Sequence, residues 1–164
     1  MKLDFLLYYI STIRELKPSE PTEKFDHDTA IEQILQLGDG LGFEVQKEFP
    51  VTKGCRIDAL WRSRIANLGT VAYAFEVHKS GSRDSAILNL QRCKVDPTIQ
   101  KVIIVSTKEE IEKFKGEILS LQEDFRKAVG YFDIEDLQKA LEYQESIKEI
   151  LTNIGLLRSG ILQG

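Results

Sequence analysis

The 164-residue sequence predicts an α/β protein: a mixed central sheet with an αβββαβ core and extra helices at both ends. Three observations carry this. Successive strand-like runs from Phe43 to Val51, Arg56 to Trp61 and Ala72 to Lys79 predict an antiparallel meander. A segment of helical period then separates the third run from Lys101-Val102-Ile103-Ile104-Val105-Ser106, which implies a crossover and a parallel pair. The continuous apolar middle of that fourth run is how a strand buried on both faces reads.

The elements follow in order. Residues 2–16 place Leu3, Phe5, Leu6, Leu7, Ile10, Ile13 and Leu16 at helical spacing, and Lys17-Pro18 ends that helix. Its apolar face is wide enough to pack deeply or to form a dimer contact. A charged stretch with Pro18 and Pro21 reads as a linker. The next helix spans about Asp28 to Leu37, capped by Asp26 or Asp28, with Ala30, Ile31, Ile34, Leu35 and Leu37 buried. Gly38, Gly40 and Gly42 break it. Between the second and third strands, Arg62 to Gly69 forms a polar, basic turn. Ser82 or Asp84 caps a helix with Ala86, Ile87, Leu90 and Cys93 on one face, and Thr107 caps another from Lys108 to about Leu121. The last helical region, Asp133 to Leu157, takes Ile134, Leu137, Leu141, Ile147, Ile150, Leu151 and Ile154 as its core side.

Length and composition suit one domain, with 42% apolar and 29% charged residues. No apolar run approaches the roughly 20 residues that span a bilayer, so no membrane partner is expected. An early acid and the lack of a small-residue cleavage site argue against a signal peptide. Cys55 and Cys93 share no C-x-x-C spacing and read as reduced thiols of a cytoplasmic protein. With His27 and His78 as the two histidines, a zinc site is disfavoured. The net charge of −4 hides an uneven distribution: residues 44–101 hold ten Lys and Arg against six acids, the rest twelve against twenty. A locally basic surface suits a polyanion, although ordinary scatter of solvated charge gives the same counts.

The chemistry concentrates in the hairpin. Asp58 lies on its first strand and Glu76 on its second, and an acid in a run as apolar as Ala72 to Val77 must be paired, hydrogen-bonded or metal-bound. Glu76 and His78 are two apart and share a face. A helix with Glu32, a strand with Asp58, a strand with Glu76-Val77-His78, then a helix and a buried strand resembles the PD-(D/E)XK nuclease superfamily, with its restriction-endonuclease-like fold. The likeness covers about residues 27–125. It leaves the helix at 2–16 and a C-terminal helical extension at about 132–158 as additions to a single domain, 1–164.

The resemblance implies a catalytic set of Glu32, Asp58, Glu76 and His78. Asp58 and Glu76 would bind Mg2+ (or Mn2+), with Glu32 reaching in from the first helix. The helix after the last acid often lends polar side chains to such a site, here Ser82, Asn89 or Gln91. Two departures stand out. Ile57 precedes Asp58 where the family often has proline, and His78 occupies the place of the family lysine that orients or activates the attacking water. Lys94 lies near the position to which some members have moved that lysine. Carboxylate-held magnesium suits phosphodiester hydrolysis because it neutralises phosphoryl charge and makes hydroxide near neutral pH. Arg56, Arg62, Lys79, Arg83 and Arg92 would take the flanking phosphates of DNA.

Plainer readings stand beside these. Glu32 also fits a surface glutamate, Asp58 an ion pair with Arg56, and His78 a hydrogen-bonded residue at a strand end. Three functions are therefore expected: a metal-dependent DNA endonuclease, a non-catalytic nucleic-acid-binding module on the same fold, or a partner-binding protein that forms a homodimer through its terminal helices.

Overall fold

Helix α1 (His27–Gly40) opens the computed structural model, which describes residues 25–157. Strands β1 (Glu44–Thr52), β2 (Cys55–Ile65) and β3 (Gly69–Val77) follow. Next come α2 (Arg83–Cys93), β4 (Ile99–Ser106), α3 (Lys108–Ile118), α4 (Glu123–Ala128), β5 (Val129–Asp133) and α5 (Ile134–Asn153). The expected helix at 2–16 lies outside the described residues.

The strands form one sheet in chain order, β1-β2-β3-β4-β5. The first three are antiparallel neighbours, and β4 and β5 each join in parallel. This mixed open sheet has helices on both faces, because alternate residues of each strand need cover on opposite sides. Leu60, Ala72, Ala74, Val102 and Ile104 pack against α2 and α3, where Leu90 and Phe114 are fully buried. Ala59, Trp61, Phe75, Val77 and Val105 pack on the other face against α1 and α5, through Ile34 and Leu137. The β3–α2–β4 crossover is as the sequence predicts.

Helix α1 is fixed at both ends. The Asp26 carboxylate accepts from Thr29 N–H at 2.8 Å and from its hydroxyl at 2.7 Å. At the other end Phe43 N–H donates to Gly38 O and Gly42 N–H to Asp39 O, a Schellman closure with Gly42 at φ 85°. Gly38 and Gly40 are thus helical and do not break the helix as expected. Gly38 is required for another reason: a Cβ there would overlap the Trp61 indole. That indole donates to Ile34 O at 3.0 Å, so it has little room to retreat. Gly38→Ala is expected to cost about 1–3 kcal/mol by overpacking, despite alanine's helix preference of about 1 kcal/mol. A lowered urea midpoint is the measurement.

Three further expectations are corrected. The β2–β3 turn is short: the strands pair as far as Ile65↔Gly69, and Leu68 N–H donates to Ile65 O at 2.7 Å. Arg62 and Arg64 therefore belong to β2, where the hairpin runs out into solvent and its polar residues imitate a turn. Strand β5 and helix α4 are additions, and β5 covers the free edge of β4. In α5 the expected single core stripe divides in two. Ile134, Leu137 and Gln144 are buried, but Ile147, Ile150 and Ile154 are exposed. Gln144 earns its place by donating to Leu37 O at 3.1 Å.

Candidate functional site

The β2–β3 ladder stops at Ala59↔Phe75, one pair short of Asp58 and Glu76. Past that point Val77 N–H has no main-chain acceptor on β2, and Asp58 Oδ2 replaces it at 2.7 Å. On β1, Glu48 falls between the paired Lys47↔Ala59 and Phe49↔Ile57, with φ 50°. The sheet is therefore irregular on both sides of Asp58, and β3 stays regular because β4 pairs with it through Val77↔Val105.

Glu76 faces the α2 side. Its Oε1 accepts from Asn89 Nδ2 at 3.4 Å, a long bond, while Oε2 is buried and has no hydrogen-bond partner among the described residues. Burial, and then the Asp58 charge, push the Glu76 carboxyl up to about 8; Asn89 and the Asp58 main-chain N–H offset this in part. Asp58 is also raised, first by burial, against the pull of Val77 N–H and His27. A buried carboxyl whose ionisation is opposed by a neighbouring acid is what a hard cation relieves. Magnesium keeps several waters and needs one or two carboxylates, so the pair with its orphan oxygen fits such an ion. No three His, Cys, Asp or Glu side chains among the described residues converge on a metal position, so Asp58 and Glu76 stand as a pair.

The other expected site residues are distributed around them. Glu32 is exposed and meets Lys47 Nζ at 2.6 Å. His78 is 6% exposed, its ring edge-on to Phe114 with centroids 4.9 Å apart, its Nε2 3.9 Å from Glu110. Burial lowers its pKa and favours the neutral ring. Lys94 Nζ donates to Ile99 O at 2.8 Å, and Ile99 pairs with Ala72, four residues up β3 from Glu76. That is about 13 Å along a strand. Ser82 is the N-cap of α2, and Gln91 is exposed. Asn89 is the residue of that helix that reaches Glu76. It also accepts from Cys55 Sγ at 3.4 Å.

The proposed phosphate contacts divide similarly. Arg56 is exposed and 3.5 Å from Glu48, and Arg62 is 3.8 Å from Glu44 and over the Phe49 ring. Lys79 and Arg92 are exposed. Arg83 is bound to Glu110 and Glu117 and ties α2 to α3. A cavity of about 770 Å³ is lined by residues 50–54, Arg56 and Asn89, and by neither carboxylate. It shares Asn89 with Glu76, and both of its charged side chains, Lys53 and Arg56, are basic.

Sequence reasoning missed two neighbours of Asp58. His27 Nε2 lies 3.6 Å from its Oδ2, and Glu48 is close enough to raise its pKa. Spacing in the sequence carried no signal for His27, which reaches Asp58 only through the packing of α1. No family model, curated protein or solved structure matches the chain.

Proposed function

We propose that the chain is a metal-dependent endonuclease or nuclease-like domain that acts on DNA, built on a restriction-endonuclease-like core. The observation that carries this reading is the buried Glu76 Oε2, without a hydrogen-bond partner among the described residues, near Asp58 where β2 and β3 part. Asp58 and Glu76 would hold the ion. Asn89 fixes Glu76 Oε1, which leaves Oε2 as the free ligand atom. A magnesium or manganese ion held there would neutralise charge at the phosphoryl group and lower the pKa of a bound water, so that hydroxide is available to attack near neutral pH. Lys53 and Arg56, which line the cavity, receive the flanking phosphates.

One observation favours a second reading, a nucleic-acid-binding module that does not cut. The position of the family lysine holds His78, which is packed against α3, and Lys94 is engaged elsewhere. A single set of assays separates the two. Plasmid and branched DNA are incubated with Mg2+ or Mn2+, and wild type is compared with Glu76→Ala. The endonuclease reading expects cleavage that falls at least ~100-fold in the variant, as for loss of a group acting at the reacting centre. Wild type that cuts nothing refutes it. Salt-dependent DNA binding that survives chelation then identifies the non-catalytic module.

A further inference from the structure

Asn89 stands where three features meet. Its Nδ2 donates to Glu76 Oε1 at 3.4 Å, its Oδ1 accepts from Cys55 Sγ at 3.4 Å, and it lines the cavity at the β1–β2 turn. Chemistry decides which way the amide faces. An ionised carboxylate only accepts, so a Glu76 that binds a cation must meet the NH2 end of Asn89. The amide oxygen is then turned back towards β2, where it needs a donor. The Cys55 thiol is that donor, and at 1% exposure it is closed off from solvent. Both partners are anchored. Cys55 opens β2 and pairs with Thr52 across the Lys53-Gly54 turn. Asn89 rides on α2 among Ala86, Leu90 and Cys93, all buried.

We propose that Cys55 is a positioning residue, whose thiol holds Asn89 with the amide nitrogen on Glu76 Oε1 and so keeps Oε2 as the oxygen that takes a divalent cation. Without the thiol the amide oxygen loses its donor, and the side chain turns into the cavity and off Glu76. Partners behind a metal ligand orient its donor atoms, and losing one costs about 10–100-fold in metal affinity. The consequence for the cation rests on the metal-binding reading of Asp58 and Glu76; the orientation of Asn89 does not.

Two measurements on the full chain test this, and the first needs no metal. Cys55 and Cys93 are the two thiols of the chain. In the infrared spectrum the S–H band of Cys55 should lie at lower frequency, as for any hydrogen-bonded donor, and should rise in Asn89→Ala. If both S–H bands stay where they are in Asn89→Ala, the thiol does not hold the amide and the proposal is overturned. The second measurement is Mn2+ binding, read from the paramagnetic resonance of the free ion. Asn89→Ala should bind about 10–100-fold more weakly than wild type and Cys55→Ala about 10-fold more weakly. In the double variant Cys55→Ala should add nothing to Asn89→Ala, because the thiol acts through the amide. A Cys55→Ala variant that binds Mn2+ as tightly as wild type, or whose full loss adds to that of Asn89→Ala, also overturns the proposal. Wild type that binds no Mn2+ refutes the metal-binding reading and the cation's part here, while the shifted S–H band still upholds the grip of Cys55 on Asn89.

Discussion

Between pH 5 and pH 8, in the presence of a chelator, the wild-type protein is expected to lose stability, and Glu76→Gln is expected to abolish most of that loss. The folded Glu76 carboxyl keeps its proton to about pH 8, against 4.5 for an unperturbed glutamate. Over that window the unfolded chain binds fewer protons than the folded one, so stability falls as pH rises. Each pKa unit is about 1.4 kcal/mol, which makes the full effect on the order of 5 kcal/mol. That is a large fraction of the ~5–15 kcal/mol that holds a typical domain together. Glutamine keeps an oxygen for the Asn89 amide and removes the charge. Urea midpoints at pH 5.5 and 8.0 give the result directly; a wild type equally stable at both would show that Glu76 ionises without penalty.

Divalent metal should reverse the same loss. Magnesium or manganese at about a hundred times its dissociation constant stabilises by ~2.7 kcal/mol, or roughly 5–10 °C in unfolding temperature for a domain this size. The shift should be larger at pH 8 than at pH 5.5, because protons compete with the ion for the two carboxylates. Asp58→Asn should remove it. Asparagine still accepts the Val77 N–H, so the opening between β2 and β3 keeps its shape while the charge is lost. A shift of equal size in Asp58→Asn would place the ion elsewhere.

The fold was legible where periodicity is strong. The order from α1 to α3 follows from alternation, from the apolar run at Val102 to Val105 and from three side-chain caps at Asp26, Ser82 and Thr107. Strand β5 was not legible because five residues between two helices leave no period to detect. The two stripes of α5 merged for a related reason: residues three and four apart satisfy one helical face, and only the buried Leu37 of α1 shows which face is covered. Asp58 and Glu76 stood out as acids in apolar strands. Glu32 did not join them because Lys47, on the neighbouring strand, holds it. That pairing depends on register between distant segments, which spacing alone does not encode. The same is true of His27, which is brought to Asp58 by the packing of α1 across the sheet.

The strictly sequential order of the sheet has a consequence for how the molecule assembles. Each strand pairs with its neighbour in the chain; β1, β2 and β3 close through short turns, whereas the parallel pairs close across α2 and across α3 and α4. Asp58 and Glu76 sit within one hairpin, with Val77 N–H already fastened to Asp58. The two carboxylates can thus approach while water still screens them, at little energetic cost. Their mutual repulsion sharpens only when α2 docks and Asn89 closes over Glu76. Docking of α2 is then expected to be opposed electrostatically, and refolding to be faster in acid than at pH 8.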